Sequence, residues 1–343
     1  KSNDMLKFNA IVGNPPYQET TVGTSDRPVY HLFMDVAFSL SPRVTLITPA
    51  RYLFNAGKTP REWNNRILND EHFRVVWYKA NSTDVFPNVD IKGGVAVMYR
   101  DSTQKFGKIG SYTAYPELNG IYGKVVDNDN FSPLSNVIYA QNKFNLEELY
   151  KYHPELRKVI GSDGREKRLT TSIFSLEDIL TIKPSAKTDI KILGLVSNNR
   201  EWRYVKRRYL EDHPNLEKYK VLVPKSNGTG SIGEVLSTPL IGEPLIGVTQ
   251  SFISIGCYET ESEAKAALKY IKSRFARTLL GILKVTQDNS KETWRFVPLQ
   301  DFTAQSDIDW SKSVAEIDQQ LYKKYNLSQD EIDFIEKMIK PMA

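Results

Sequence analysis

The chain has 343 residues, of which 40% are hydrophobic and 25% are charged, and this composition excludes disordered, collagen-like and coiled-coil proteins. No apolar run approaches the roughly 20 residues of a membrane span, and one cysteine with four scattered histidines excludes an internal disulfide and predicts no metal site. The formal charge of +5 permits a polyanionic partner without requiring one, so we expect a cytoplasmic protein of two domains with no membrane partner.

The first hundred residues alternate between strand and helix patterns. Short apolar runs predict strands at residues 6–12, 44–48, 74–78 and 94–99. Apolar residues at helical spacing predict helices at 28–40 and 60–68. This order is typical of an α/β layer with a mostly parallel sheet, although four strands are few for a complete doubly wound domain.

From about residue 107 onwards, polar and aromatic stretches with many turn residues replace this alternation. The pattern predicts a helix at 145–160 that Pro154 interrupts, a charged connector at 161–168 and short strands from 190 to 260. Thr260 and Glu263 form a capping box, and the apolar spacing after it predicts one long helix that reaches Ile282. Ser328 and Glu331 cap a last helix.

The sequence Asn14-Pro15-Pro16-Tyr17, directly after the first predicted strand, is the most informative motif. The two prolines fix two φ angles and push Asn14 toward extended backbone, so the turn is stiff. Such a turn directs the Asn14 side-chain oxygen and the Pro15 carbonyl at one point, where they can accept both hydrogens of a planar amino group. These bonds localise the nitrogen lone pair, which makes the amine a nucleophile. The alternative reading is an ordinary surface turn.

Residues 8–17 resemble motif IV of the amino-group DNA methyltransferases, and most closely the gamma-arrangement adenine enzymes of bacterial restriction-modification systems, including the TaqI type and the fused restriction-methylases. Residues 30–40 resemble motif V of that family, 44–49 its motif VI, and 84–87 with 93–100 its motif VIII. A weaker likeness at 219–225 and 294–299 concerns its target-recognition domain.

The resemblance implies an α/β fold in which residues 1–110 form a partial Rossmann-like methyltransferase sheet without its first strands. Residues 111–310 would then form a mixed α+β DNA target-recognition domain, and 311–343 terminal helices. Double-stranded DNA is the partner that this organisation implies.

The resemblance also implies a role for each residue of the motifs. Asn14 and the Pro15 carbonyl would hold the amino group of a flipped adenine, with Tyr17 and Phe86 stacked on the base. Pro16 and Phe33 would border the adenine of S-adenosylmethionine. Phe33 suits a core position of the helix equally well, and Phe86 could be a plain core aromatic.

One difference from the family limits the roles that the resemblance can assign to this chain. The glycine-rich motif I turn, which seats S-adenosylmethionine and should precede motif IV, does not occur before Asn14. We therefore expect that the chain is the carboxyl-terminal part of a methyltransferase, that its upstream half is missing, and that it is inactive and binds no cofactor by itself. A fused nuclease, if the complete enzyme has one, would also lie upstream.

Basic residues concentrate between residues 200 and 225. This stretch contains eight basic and four acidic residues, with aromatic residues between them. This composition suits contacts to phosphates and bases, and its alternative is a solvated surface. The predicted DNA contacts are Arg200, Arg203, Lys206, Arg207, Arg208 and Lys225. A second basic set is predicted to face solvent: Lys265, Lys269, Lys272, Arg274 and Arg277.

The sequence thus favours part of an adenine-specific DNA methyltransferase of a restriction-modification system. Two alternatives stay open: a non-catalytic DNA-binding specificity module, and a methyltransferase that acts on RNA or on protein glutamine. Cys257 is expected to be a small buried apolar residue rather than a nucleophile.

Overall fold

The computed structural model describes residues 8–19, 27–55, 58–87, 91, 93–160, 166–228, 230–284 and 286–342. The chain divides into two compact units, Lys1–Gly123 and Lys124–Ala343, and the division falls within one helix. Among the described residues, no helix has the length and apolar composition that crossing a bilayer requires.

Unit 1 contains three helices and six strands within its described residues. In chain order these are β1 (Ile11–Gly13), β2 (Gln18–Glu19), β3 (Arg27–Pro28), α1 (Tyr30–Leu40), β4 (Arg43–Pro49), α2 (Arg61–Leu68), β5 (Phe73–Lys79), β6 (Val95–Asp101) and α3 (Pro116–Val126), which enters unit 2. The predicted strands and helices of this region are therefore present, with the first strand beginning at Ile11. The start of its predicted run, up to residue 7, lies outside the described residues.

The main sheet of unit 1 has the order β1-β4-β6-β5 and is mixed rather than mostly parallel. Strand β1 pairs with β4 in parallel, whereas β6 is antiparallel to both β4 and β5. Three strands thus run in one direction, and β6 returns between two of them. The reason is the connection from β5 to β6, which contains no α-helix among its described residues, because a parallel neighbour requires a longer crossover.

The core of unit 1 lies between this sheet and its helices. Helix α1 buries Tyr30 and Met34, and α2 buries Trp63 and Ile67, in one cluster with the inward residues of β4. The arrangement fixes the sheet and leaves the segments after β1, β4 and β5 at one edge.

Unit 2 contains five further helices and seven strands among its described residues. They are β7 (Ile138–Tyr139), α4 (Leu146–Tyr152), β8 (Ile190–Val196), β9 (Asn199–Val205), β10 (Tyr219–Pro224), β11 (Leu240–Gly242), β12 (Ile246–Val248), β13 (Phe252–Tyr258), α5 (Glu261–Lys272), α6 (Arg274–Leu283), α7 (Val314–Lys324) and α8 (Gln329–Met338). Helix α4 ends before Pro154, as predicted. Part of the predicted connector, 161–165, lies outside the described residues.

Two sheets organise unit 2. One is antiparallel with the order β11-β10-β13-β7, and the other has the order β12-β8-β9. Leu193 of β8, Leu222 of β10 and Phe252 of β13 share a buried cluster, so the two sheets pack on each other. A second cluster contains Ile190 and Val205 from the other face of the β8–β9 pair.

The single long helix predicted after Thr260 is wrong, because the structure has two helices there. The capping box of Thr260 and Glu263 is present, but α5 ends at Lys272. Ser273 then takes extended backbone, and its hydroxyl accepts a hydrogen bond from the Ala276 N–H at 3.1 Å. A serine in this position caps a new helix rather than continuing the old one.

The second basic set is only in part the solvated surface that the sequence predicted, since Lys265 is exposed but Lys269 and Arg277 are engaged within the chain. Arg277 is 2% exposed, and its guanidinium donates to the carbonyls of Lys272, Glu234 and Lys340. The Lys269 ammonium likewise donates to three successive carbonyls at 310–312. These cations satisfy main-chain acceptors where helices and loops end, which a sequence pattern does not reveal.

Cys257 also differs from expectation, since it is half-buried and engaged in a polar contact. Its thiol donates to the Tyr139 hydroxyl at 3.3 Å.

Candidate active site

The carboxyl ends of β1, β4 and β5 meet at one edge of the main sheet of unit 1. Pro49 of β4 and Lys79 of β5 both pair with Val95, the first residue of β6. Strand β1 runs parallel to β4 and ends at Gly13. Ligands of open α/β sheets bind at this type of edge.

The Asn-Pro-Pro-Tyr turn leaves β1 at this edge, as the sequence predicted. Asn14 and Pro16 are exposed, while Pro15 and Tyr17 are partly buried. The Tyr17 carbonyl accepts a hydrogen bond from the Val29 N–H at 3.1 Å, next to the short β2–β3 pair. The turn is therefore held at one end by the main sheet and at the other by the start of α1.

Phe86 lies in the loop after β5. The buried Ser82 organises this loop, because its carbonyl accepts from the N–H groups of Val85 at 3.0 Å and Phe86 at 2.8 Å. Its hydroxyl accepts from the Ile91 N–H at 2.7 Å. The position of the Phe86 ring is thus fixed by main-chain bonds rather than by burial in the core.

The rings of Tyr17 and Phe86 are in edge-to-face contact, with centroids 6.4 Å apart and an interplanar angle of 67°. Strands β1 and β5 are the two outer strands of the sheet, about 14 Å apart at normal strand spacing. The two loops therefore meet across the ends of the inner strands. The structure brings together the two aromatic residues that the sequence assigned to one base.

The Tyr17 hydroxyl is in an unusual environment. Burial raises the pKa of Tyr17, and the Asn14 side chain nearby offsets part of that rise. The oxygen is shielded from water and has no hydrogen bond of normal geometry among the described residues. A contact of this side chain with a ligand would therefore involve the ring rather than the hydroxyl.

Phe33 and Pro16, which the resemblance assigned to the cofactor, are both accessible. Phe33 lies on α1 and is 46% exposed, so it is not a core residue of that helix. The alternative that helical spacing left open for Phe33 is therefore wrong.

Sequence reasoning missed a second group of aromatic residues at the same edge. The rings of Phe54, Tyr78 and Tyr112 contact one another with centroids 5.6 to 5.8 Å apart. Burial raises the pKa of Tyr112 to about 12. Phe54 follows β4 in the chain, so the sequence indicates that it lies at this edge of the sheet. Nothing in the sequence indicates that Tyr112 contacts it.

The predicted DNA contacts of unit 2 differ in their surroundings. Three of the arginines have partners within the chain: Arg203 pairs with Glu201 at 2.7 Å, Arg207 pairs with Asp212 at 2.5 Å, and Arg200 donates to the carbonyls of Ser237 and Thr238. These groups are partly buried, and two of their charges are already neutralised.

The other three predicted contacts are exposed cations. Lys206, Arg208 and Lys225 form no ion pair within the part of the chain that the structure describes, although the charge of Lys206 interacts with the buried Asp189. The Arg208 guanidinium lies over the Tyr152 ring, 4.2 Å from its centroid. These three side chains are the ones that remain available for phosphate.

Comparison with known proteins finds a family match in the amino-terminal region. Residues 1–86, which include both Asn14–Tyr17 and Phe86, match the family described as Eco57I restriction-modification methylase. Over 122 residues the chain is 28% identical to a protein described as an uncharacterized adenine-specific methylase from Mycoplasma pneumoniae (strain ATCC 29342 / M129 / Subtype 1). This alignment covers 32% of the chain and 29% of that relative, so the match spans less than a third of either protein.

Two solved structures overlap with most of the chain at 10% identity. They are the type IIG restriction endonuclease BpuSI, with a TM-score of 0.35, and the type IIL restriction-modification enzyme MmeI in complex with DNA, with a TM-score of 0.33. The chain covers 55% of each of them, and they cover 98% and 97% of the chain. Scores of this size do not establish a common fold. Over its first 86 residues the chain is therefore similar to the Eco57I restriction-modification methylases, and over 122 residues it is similar to a protein described as an adenine-specific methylase.

Proposed function

We propose that the chain forms the amine-binding and DNA-recognising part of an adenine-specific DNA methyltransferase of a restriction-modification system. The observation that carries the proposal is the exposed Asn14 at the carboxyl edge of the sheet, beside the contacting rings of Tyr17 and Phe86. The family match covers these same residues. The region after residue 110 would read duplex DNA.

The site supplies what a flipped adenine needs. The Asn14 amide oxygen and the Pro15 carbonyl accept the two amino hydrogens and localise the lone pair on the nitrogen. Tyr17 would stack on one face of the base with Phe86 beside it, and such stacking would return part of the few kcal/mol that extrusion from the duplex costs. Because the product ammonium is acidic, it can lose its proton to water and no strong general base is required.

The residues present fit one side of a methyl donor. Pro16 and Phe33 are exposed apolar surfaces that would hold the adenine of S-adenosylmethionine, and this group supplies an electrophilic methyl when bound. Gly94, also at this edge, is buried against the end of β5. A Cβ on Gly94 would lie 2.2 Å from the Lys79 carbonyl oxygen.

An apolar surface of unit 1 fits the partner that the sequence predicted, an upstream methyltransferase half. Strand β1 has one strand neighbour among the described residues, and Val12 on it is 80% exposed. Leu32 and Val36 of α1 are 50% and 56% exposed and lie on one helix face. Exposed apolar groups of this kind mark an interaction surface, and we propose that upstream strands of the complete enzyme cover it.

Substitution of Asn14 in the complete polypeptide tests the proposed function. Asn14→Ala removes an acceptor and should lower methyl incorporation into duplex DNA by at least two orders of magnitude, while Asn14→Asp keeps an acceptor oxygen and should retain more activity. DNA binding should survive in both. Asn65→Ala, an exposed asparagine on α2, is the matched control.

Normal turnover by the Asn14→Ala enzyme would exclude the assignment. The same assay with RNA and with protein as acceptors separates the alternatives. Transfer to either of those polymers, with none to duplex DNA, would replace the proposed substrate.

A further inference from the structure

The β8–β9 hairpin of unit 2 ends in an unusual turn. The strands pair without interruption from Ile190 with Val205 to Val196 with Asn199, so the loop contains two residues, Ser197 and Asn198. Both have positive φ angles, 48° and 65°. This turn suits the twist of the hairpin, and its preferred residues include glycine.

Both turn positions carry a side chain, although their positive φ angles favour glycine. Left-handed backbone is unfavourable for most non-glycine residues, although asparagine tolerates it well. Ser197, Asn198 and the adjacent Asn199 are exposed, and their side chains form no hydrogen bond with any described residue. One hydroxyl and two amides are therefore presented together to solvent.

The rest of the hairpin is rigid. Leu193 is buried between the two sheets, and Leu195 and Trp202 pack against the same cluster. The Arg200 guanidinium donates to the carbonyls of Ser237 and Thr238, which ties the strand next to the tip to a neighbouring loop. These contacts hold the strands on either side of the tip, while the side chains of the tip stay exposed.

We propose that the tip formed by Ser197, Asn198 and Asn199 reads base edges in the major groove of duplex DNA. A two-stranded ribbon fits this groove, and an asparagine amide can donate and accept at once, which matches the N6 and N7 positions of adenine. The inference rests on the proposed function, because it assigns the sequence-reading element of the same DNA-binding region.

The tip is uncharged, and this separates its role from that of the exposed cations. Phosphate contacts set affinity and its salt dependence, whereas base contacts set sequence preference. The tip should therefore affect preference and leave the salt dependence unchanged.

The test compares sequence preference between the full chain and the variant Ser197→Gly/Asn198→Gly. Glycine suits both φ angles, so the hairpin should fold as before. Duplexes bound by each protein are selected from a randomised pool and sequenced, and salt titrations are run on one fixed duplex. We expect the variant to lose at least fivefold discrimination at one or two base pairs, with an unchanged salt slope. Asn199→Thr, which retains strand propensity, should alter the same positions.

Asn326→Gly is the matched control, since Asn326 is also exposed with a φ of 50°, and it should keep the original preference. If the double-glycine variant selects the same sequences as the parent chain, the tip does not read bases and the inference is overturned. If the parent chain binds no duplex at all, the proposed function fails together with the inference.

Discussion

Asn14 is placed by the stiffness of its own turn rather than by packing around it. The prolines at 15 and 16 fix the backbone locally, so the sequence predicts this exposed position after a strand and the structure shows it. The ion pairs of Arg203 with Glu201 and of Arg207 with Asp212 follow a different logic. They depend on which side chains the strand and the following turn bring together, and a local count of charges does not contain that information.

Two substitutions of Tyr17 test whether methylation requires its ring or its hydroxyl. Tyr17→Phe keeps the ring and removes a shielded hydroxyl that has no normal hydrogen bond, so we expect near-normal methylation and a free energy of unfolding that is unchanged or higher by up to about 1 kcal/mol. Tyr17→Ala removes the contact with Phe86 and should lower activity at least tenfold. Methyl incorporation and thermal unfolding of both variants check this. Equal losses in the two would show that the hydroxyl is required.

The exposed cations of unit 2 should carry the salt dependence of DNA binding. The triple variant Lys206→Ala/Arg208→Ala/Lys225→Ala removes the three that form no ion pair among the described residues. We expect the slope of log affinity against log salt to fall by up to about 3, since each phosphate contact contributes roughly 1.

The control for this experiment is the double variant Arg207→Ala/Asp212→Ala. It removes an ion pair 2.5 Å long without changing the net charge, and it should leave the slope unchanged. A triple variant with the parental slope would show that these side chains face solvent in the complex.

At the scale of elements, periodicity located most helices and strands but not their breaks and directions. The apolar spacing of α5 continues into α6, and only the Ser273 hydroxyl bonded to the Ala276 N–H reveals that the helix restarts. Strand β6 has the same apolar character as β4, yet it runs the opposite way because its connection contains no α-helix. The break between α5 and α6 depends on a helix cap, and the direction of β6 depends on the connection before it. Apolar periodicity contains information on neither.

The start of β6 depends on Gly94, which the structure makes testable. Its φ is +78°, and a Cβ there would lie 2.2 Å from the Lys79 carbonyl oxygen. The Gly94 carbonyl accepts from the Ala50 N–H at 3.0 Å, which holds the segment after β4 at the site. We expect Gly94→Ala to destabilise unit 1 by about 2 to 5 kcal/mol, as backbone strain and a collision with backbone atoms act together.

Gly107→Ala separates these two effects. Gly107 has a φ of +87°, but no atom lies within 4 Å of its Cβ position. The substitution should therefore destabilise unit 1 by only about 1 to 2 kcal/mol. Hydrogen exchange of the β4 and β6 amides measures both variants. Equal protection in the two would mean that the close approach at Gly94 relaxes without cost.

At the scale of the whole molecule, the change in composition after residue 107 indicates a second domain, and the structure contains two compact units. Each unit has buried clusters of its own. Composition predicts this because each unit must bury enough apolar area by itself. It does not predict which apolar residues stay outside, and in unit 1 these are concentrated on β1 and α1.

This exposed apolar surface should make the isolated chain self-associate. Val12, Leu32 and Val36 are 80%, 50% and 56% exposed, and burying each of them would contribute roughly 1 to 2 kcal/mol to an interface. We expect Leu32→Lys/Val36→Glu to reduce association of the isolated chain, measured by sedimentation at several concentrations. In the complete polypeptide the same pair should lower stability if upstream strands cover the surface, as we propose. Val159→Glu, at a 62% exposed valine of unit 2, should change neither property, and a complete polypeptide that tolerates the α1 pair equally well would show that nothing upstream covers this face.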